Sequence, residues 1–317
     1  MNKKILVTGA AGYIGTVFLR YVCQESWVGE IIGLDKVKPT KPIKGVTYRQ
    51  CDITTTQWTE IIVSEKPDIL VHLAFIVNPI RDVSLMRTIN VLGTRRTFEA
   101  AKQGGVSHIL VASSATAYGA WPDNPIPLTE EHPIRPHPTF QYGREKGELE
   151  SYYQQFAEDN DTIGVAVIRP VIVYGPGVDN YLSRFIFAFP IVPLVERGQT
   201  PLQLVHEDDV ARIMVRIVAL QKQGVFNIGA EDYLTLAEIC RLADRKTMPL
   251  PKFLLNLMMK MMWQFNMPAM ETPETILDYI IYPWVVSVEK VKKELNFSFQ
   301  YSSQEALQAM LAARNKS

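Results

Sequence analysis

Three glycines, Gly9, Gly12 and Gly15, constrain this chain more than any other feature. They fall in TGAAGYIG, Thr8 to Gly15, directly after the apolar run Ile5, Leu6, Val7 and before an amphipathic stretch from Tyr13 to about Gln24. A buried strand, a tight turn and a helix start therefore follow in that order. Glycine lets the backbone turn sharply and approach a ligand with no Cβ in the way. The first N–H groups of the helix, and the positive end of its dipole, then face any anion held in the turn. An acid follows 20 residues past Gly15: Asp35, ending the strand-like run Ile31–Leu34. A carboxylate there can accept from both hydroxyls of an adenosine ribose and would repel a 2′-phosphate. Strand, glycine turn, helix and acid together point to a dinucleotide. The spacing is GxxGxxG, one residue longer at its start than the usual pattern.

The bulk properties set few further limits. The chain has 317 residues, enough for one large domain or two closely joined ones. Hydrophobic residues make up 47% and charged residues 21%, which suits a globular protein with a sizeable core. Formal net charge is zero, so bulk electrostatics do not draw the chain to nucleic acid. Cys23, Cys51 and Cys240 are scattered and form no CxxC pair, and they read as reduced thiols of a cytoplasmic protein. The five histidines show no metal-ligand spacing, and no metal is expected. Met1–Lys4 is basic, but the apolar run after it is too short for a signal peptide. Phe253–Phe265 is rich in Met and Leu but only 13 residues long, and Asn256, Lys260 and Gln264 interrupt it. A spanning helix needs about 20 apolar residues. A buried or pocket-lining helix is the reading, with contact at a lipid surface as the alternative.

Short apolar runs alternate with helical patterns through the first half. Strands are expected at Lys4–Val7, Glu30–Leu34, Val46–Arg49, Ile69–Leu73, His108–Ala112 and Gly164–Ile168. Helices are expected near 13–25, 56–65, 82–103 and 140–158. Such alternation implies an α/β fold with a parallel sheet covered on both faces. Prolines at 170, 176, 190, 193 and 201 then break the regularity. A strand at Leu202–Val205, a helix from Asp209 to Gln221 and a strand at Val225–Ile228 follow, and 231–317 reads as mainly helical. The cofactor domain is placed at 1–169, with 203–229 folding back onto it. Residues 170–202 and 230–317 form a smaller substrate lobe.

A second motif is Tyr142-Gly-Arg-Glu-Lys146. Positions i and i+4 share a helix face, so the phenol and the ammonium point the same way. A free tyrosine titrates near 10, too high for a base at neutral pH, and a fixed positive charge lowers that value. The strand His108–Ala112 runs into Ser113, Ser114 and Thr116. Ligands of open α/β sheets sit beyond the carboxyl ends of strands, where a hydroxyl can hold a reacting oxygen.

With these motifs the chain resembles the extended short-chain dehydrogenase/reductase superfamily, in its NAD-dependent epimerase/dehydratase branch. The resemblance extends to Cys51-Asp52-Ile53, His72-Leu73-Ala74, Asn90 to Thr94, Ser113 to Gly119, Arg169-Pro170 with Tyr174-Gly175-Pro176, Val205 to Val210, Phe226 to Gly229, and Leu295 with Tyr301-Ser302. It implies a Rossmann-type doubly wound sheet with a mainly helical C-terminal lobe, NAD rather than NADP, and a homodimer paired through helices 82–103 and 140–158. It assigns the cofactor to Gly9, Ala11, Gly12, Tyr13, Ile14, Gly15, Asp35, Asp52, Ile53, Leu73, Ala74, Tyr142, Lys146 and Pro170. Ser114 would hold the substrate oxygen, Tyr142 would be the acid/base, and Lys146 would hold the nicotinamide ribose while lowering the tyrosine pKa. Asp208 or Asp209 would cap a helix beginning at Val210, Asn90 would make a scaffold hydrogen bond, and His206 is left between a pocket and a structural role.

The chain departs from nucleotide-sugar members at two places. Ile172 stands where they carry an asparagine, and Leu202 where many carry an arginine. Arg184 and Arg197 could compensate, and Thr116, Ile172, Arg184 and Leu202 join Ser114 as candidate substrate contacts. The expected function is hydride transfer between NAD and a carbinol or ketone carbon of a small-molecule, lipophilic substrate. The alternatives are a UDP-sugar 4-epimerase or dehydratase with tightly bound NAD, and a non-catalytic NAD-sensing protein.

Overall fold

The computed structural model describes residues 2–78, 80–178, 181–265 and 274–314. Its strands begin with β1 (Lys3–Thr8), β2 (Val28–Asp35), β3 (Val46–Gln50), β4 (Ile69–His72), β5 (His108–Ala112) and β6 (Gly164–Pro170). Then come β7 (Ile172–Tyr174), β8 (Ile191–Leu194), β9 (Pro201–Leu202), β10 (Leu204–His206), β11 (Gly224–Ile228), β12 (Leu234–Thr235) and β13 (Lys246–Pro249). The helices of the first part are α1 (Tyr13–Val22), α2 (Thr56–Glu65), α3 (Val83–Arg87), α4 (Gly93–Gly104) and α5 (Gln141–Asp159). Those of the second are α6 (Tyr181–Ala188), α7 (Glu207–Leu220), α8 (Leu236–Leu242), α9 (Lys252–Gln264), α10 (Asp278–Ile281), α11 (Glu289–Leu295) and α12 (Ser303–Arg314).

Seven strands form one parallel sheet in the order β11-β6-β5-β4-β1-β2-β3. This is the doubly wound Rossmann-type sheet. The chain winds one way from β1 to β3 and the other way from β4 onward, so a crevice opens past the carboxyl ends of β1 and β4. Side chains alternate between the faces, as strand geometry requires. Ile5, Val7, Ile69, Val71, Leu110 and Ile168 pack with Phe18 of α1 and Ile213 of α7. Leu6, Leu70, Ile109, Val111 and Val167 pack with Trp58, Phe98 and Leu149 from α2, α4 and α5.

Four local features differ from the expectations. The single helix expected over 82–103 is α3 and α4 joined by a wide π turn, Thr88–Leu92. The extra residue in that turn presents Asn90 inward. Its amide accepts from Ile76 N at 2.7 Å and donates to Glu145 Oε2 at 2.7 Å, tying the loop after β4 to α5. The single strand expected over Leu202–Val205 is two. β9 pairs with β12 and β10 with β7. Gln203, buried between them, bonds the backbone of Ala230 and Val286 instead of a neighbouring strand. α7 begins at Glu207 and its cap is His206, whose Nδ1 accepts from Asp208 N at 3.1 Å. Asp209 instead accepts from the backbone of Gln300 and Tyr301. His206 also stacks on Tyr301 at 3.8 Å between centroids, so its role is structural. Finally, α9 buries only one face and does not line the central cavity. Leu255 and Met259 point inward, while Phe253, Leu257 and Phe265 are exposed.

Candidate active site

A cavity of about 500 Å³ lies past the carboxyl ends of β1, β4, β5 and β6. Its floor is the glycine turn. Gly9 has φ +69°, and a Cβ there would lie 2.7 Å from Ala74 N. A Cβ on Gly15 would lie 2.1 Å from the Gly9 carbonyl, so both positions need glycine for close packing. Tyr13 and Ile14 begin α1 and line the same wall. Ala11 N donates to Asp35 Oδ2 at 2.9 Å, which fixes the acid at the rim of the turn.

Asp52 and Ile53 follow β3, and Leu73 and Ala74 follow β4. Asp52 accepts from Thr54 N at 2.9 Å and pairs with Lys36 Nζ at 2.9 Å, and these contacts lower its pKa, the Thr54 bond first. Ile53 packs under Gly93, where a Cβ would meet its Cδ1 at 2.7 Å. Leu73 N and Ala74 N both donate to Thr8 Oγ1, at 3.2 and 3.3 Å. That hydroxyl starts a buried chain through His72, which bonds Thr8 at 2.7 Å and Thr94 at 2.9 Å. Burial, with a smaller push from Lys146, drives the His72 pKa down to about 3 and keeps the ring neutral.

Ser114, Thr116, Tyr142, Lys146, Pro170 and Ile172 line the same cavity as the glycine turn. Burial pushes the Tyr142 phenol up to about 12, and the Ser114 hydroxyl, donating to it, pulls the other way. Lys146 is pushed down to about 7 by burial, against the upward pull of Glu150 and Glu145. Its ammonium donates to Ala112 O at 2.7 Å and lies 3.3 Å from the Phe75 ring centroid. The Tyr142 ring centroid is farther, at 5.7 Å. Burial therefore sets the direction of the Tyr142 shift, with Ser114 as the opposing group, while the Lys146 charge is directed at Ala112 and Phe75. Ser113 Oγ and Thr116 Oγ1 are buried and have no protein partner. Buried hydroxyls are rarely left so, and both line the cavity.

The remaining wall is mostly apolar: Ile76, Ile80, Val171, Ile172, Val173 and Trp284, with Asn78 as its polar member. Arg184 lies half-buried on α6, and Arg197 sits in the turn before β9. Leu202 is fully buried in β9 opposite Leu234, within the core and not on this wall. Sequence reasoning missed Phe75, Trp284 and Glu207. Glu207 accepts a hydrogen bond from Tyr13 OH and one from Gly177 N at 3.4 Å, and lies 3.7 Å from Arg20. The acidic run at 207–209 was a signal for it, but no local pattern marks Phe75 or Trp284.

Residues 5–229 match the family model described as NAD dependent epimerase/dehydratase family. The chain belongs to that family. It is an NAD-dependent oxidoreductase/epimerase of the extended short-chain dehydrogenase type. The residues present fit NAD: a cradle with no room for a Cβ, an acid at the rim and two orphan hydroxyls in the cavity. An uncharacterized protein of Mycobacterium tuberculosis is 26% identical over 316 residues, covering 96% of this chain and 82% of that protein. A UDP-glucose 4-epimerase of Mycolicibacterium smegmatis is 28% identical over 247 residues, 71% of this chain and 77% of that enzyme. The structure of UDP-glucose 4-epimerase from Thermotoga maritima, solved with UDP-glucose, matches with a TM-score of 0.76 at 22% identity, covering 99% of each chain. Among the described residues, no helix is long and apolar enough to cross a membrane.

Proposed function

We propose that this enzyme interconverts a secondary carbinol and its ketone on a lipophilic substrate. The observation that carries this reading is the apolar wall opposite the glycine turn, with Ile172 and Trp284 in it. Apolar walls with a few convergent polar groups suit such ligands. The polar groups are Ser114, Tyr142, Lys146, Asn78 and the orphan Ser113 and Thr116 hydroxyls. Bound NAD would supply the hydride acceptor or donor at its nicotinamide. Gly9, Gly12, Gly15 and the start of α1 would hold its diphosphate, Asp35 its adenosine ribose, and Lys146 its other ribose. Asp52 and Ile53 would flank the adenine, Leu73 and Ala74 the phosphate and ribose region, and Pro170 would lie near the nicotinamide. Lys36 is paired with Asp52, which supports NAD over NADP.

Ser114 would orient the substrate oxygen, and Tyr142 would move its proton. With the phenol held at about 12, Tyr142 stands protonated at neutral pH and is set to protonate a carbonyl. The opposite direction needs the phenolate.

Assay of the purified chain with NAD(H) against hydrophobic ketones and carbinols, and against UDP- and dTDP-sugars, tests this. Turnover of hydrophobic ketones supports it. Turnover of a nucleotide sugar alone would establish the second reading, a nucleotide-sugar 4-epimerase or dehydratase, which the named relatives favour. Tyr142 and Lys146, both in the cavity, argue against a non-catalytic NAD-sensing role. We further place 1–169 with 203–229 in the cofactor unit, since β11 extends the sheet and α7 packs on α1. A cytoplasmic setting is supported by three free thiols. A homodimer through α4 and α5 would meet the charged side chains Arg87, Arg95 and Glu148, and sedimentation velocity decides it.

A further inference from the structure

The Met- and Leu-rich helix α9 carries hydrophobic side chains on two faces. Leu255 and Met259 face the lobe and are fully buried. Phe253 is 73% exposed, Leu257 53%, Met261 49% and Phe265 71%, and Leu254 is exposed as well. At about 100° per residue these five side chains fall within a sector about 120° wide. Asn256, Lys260 and Gln264 run along one edge of that sector, each four residues from the next. Met248, four residues before the start of α9, is also exposed.

Charge accompanies this face. From Arg245 to Phe265 the chain has four basic residues, Arg245, Lys246, Lys252 and Lys260, and no acid. Lys252 is tied to Asp278 at 2.9 Å and Tyr282 at 3.0 Å, but Lys260 is exposed at the edge of the apolar sector and Lys246 is exposed in β13, which precedes the helix. A protein of zero formal net charge thus concentrates positive charge around an apolar face that no described residue covers.

We propose that α9 is an interfacial anchor that seats this enzyme on an anionic lipid bilayer. The helix lies in the interface plane, with Phe253, Leu257, Met261 and Phe265 in the acyl boundary and Lys246 and Lys260 at the headgroups. Apolar insertion and basic attraction are separately weak and together sufficient for reversible binding. A narrow stripe of flexible Met and Leu ended by two Phe fits a deformable bilayer better than a fixed protein groove. Charge complementarity sets the lipid: the basic side chains call for an anionic leaflet.

Flotation of the full chain with vesicles tests the assignment. One set is phosphatidylcholine alone; the other mixes it with phosphatidylglycerol. The chain should float with the mixed vesicles, less with the neutral ones, and less again as salt is raised. Leu257→Asp and Phe253→Asp should each lower the floated fraction about tenfold. Lys246→Glu with Lys260→Glu should abolish the preference for phosphatidylglycerol. NAD binding and the thermal midpoint serve as folding controls, since none of these residues lies in the cavity. Failure of the wild type to float with either vesicle overturns the proposal. So does equal flotation of the Asp variants. Self-association that Leu257→Asp removes, without flotation, would replace the bilayer with a second copy of the chain.

Discussion

The Lys146 ammonium lies 3.3 Å from the centroid of the Phe75 ring and donates to the Ala112 carbonyl at 2.7 Å. The site thus holds a buried lysine by a ring face and a strand end, with no carboxylate in contact among the described residues. The face of an aromatic ring attracts a cation, and more so when water is excluded. The Phe75 loop is itself held by Asn90, which bonds the next residue, Ile76, at both N and O. The wide turn at Thr88–Leu92 therefore positions Lys146 through two intermediates. Phe75→Leu should weaken NAD binding with little change in the substrate dependence of turnover, read by NAD titration and steady-state kinetics.

Tyr142→Phe should lower turnover by about 10²–10⁴-fold, the usual contribution of a positioned acid or base. NAD affinity should hardly change, because the phenyl ring keeps its packing. The pH dependence follows from the raised phenol pKa. Oxidation of a carbinol needs the phenolate, so its rate should climb through the alkaline range toward about 12. Reduction of a ketone needs the phenol and should stay flat from neutral to mildly alkaline pH. A rate of oxidation that levels off near neutrality would remove Tyr142 as the group titrated.

His72 makes a separate prediction about stability. Its folded pKa is driven down to about 3, from an ordinary 6.5. Between those values the unfolded chain binds a proton that the folded chain does not, so stability is present above 6.5 and is lost as pH falls through that window. Thermal midpoints should drop on acidification between 6.5 and about 3. His72→Gln, which keeps a donor and an acceptor, should flatten that dependence. Lys146 acts in the same sense at higher pH. Its folded pKa, about 7, lies below an ordinary 10.5, so stability should rise with pH across that interval and not in Lys146→Met.

Glu207 is a positioning residue for the glycine turn. Its carboxylate receives Tyr13 OH from the cofactor side and Gly177 N from the loop after β7. Hydrogen bonds to a charged group contribute roughly 1.5–3 kcal/mol. Glu207→Ala should therefore weaken NAD binding at least tenfold, measured by titration, with Glu207→Gln intermediate. An unchanged affinity would reduce Glu207 to packing.

The local parts of this site were legible because they are local. Gly9 to Gly15, Asp35 and the pair Tyr142 and Lys146 are defined by short spacings on one strand–turn–helix unit or one helix face. What escaped is what the fold brings from afar. Tyr13 and Glu207 are 194 residues apart, and Trp284 enters the cavity from the C-terminal part of the chain. The wide turn around Asn90 was invisible because one added residue hardly disturbs the apolar pattern of a helix. The sense of the Tyr142 shift depended on burial, which spacing does not report: Lys146 shares a helix face with the phenol yet directs its charge at Ala112 and Phe75.

Ile172 and Leu202 separate the two readings of the substrate, because the structure puts them in different environments. Ile172 lines the cavity beside Val171 and Val173, and Ile172→Asn would place an amide at a ligand-facing position. That variant should fold and, if the lipophilic reading holds, should lose activity on hydrophobic ketones without gaining UDP-glucose binding. Leu202 is buried in the β9–β12 ladder, so Leu202→Arg would put an unpaired charge in the core. The cost should be about 3–5 kcal/mol, seen as a large fall in the denaturation midpoint. A stable Leu202→Arg protein that binds UDP-glucose would mean that this strand opens onto the substrate, and would favour the nucleotide-sugar reading.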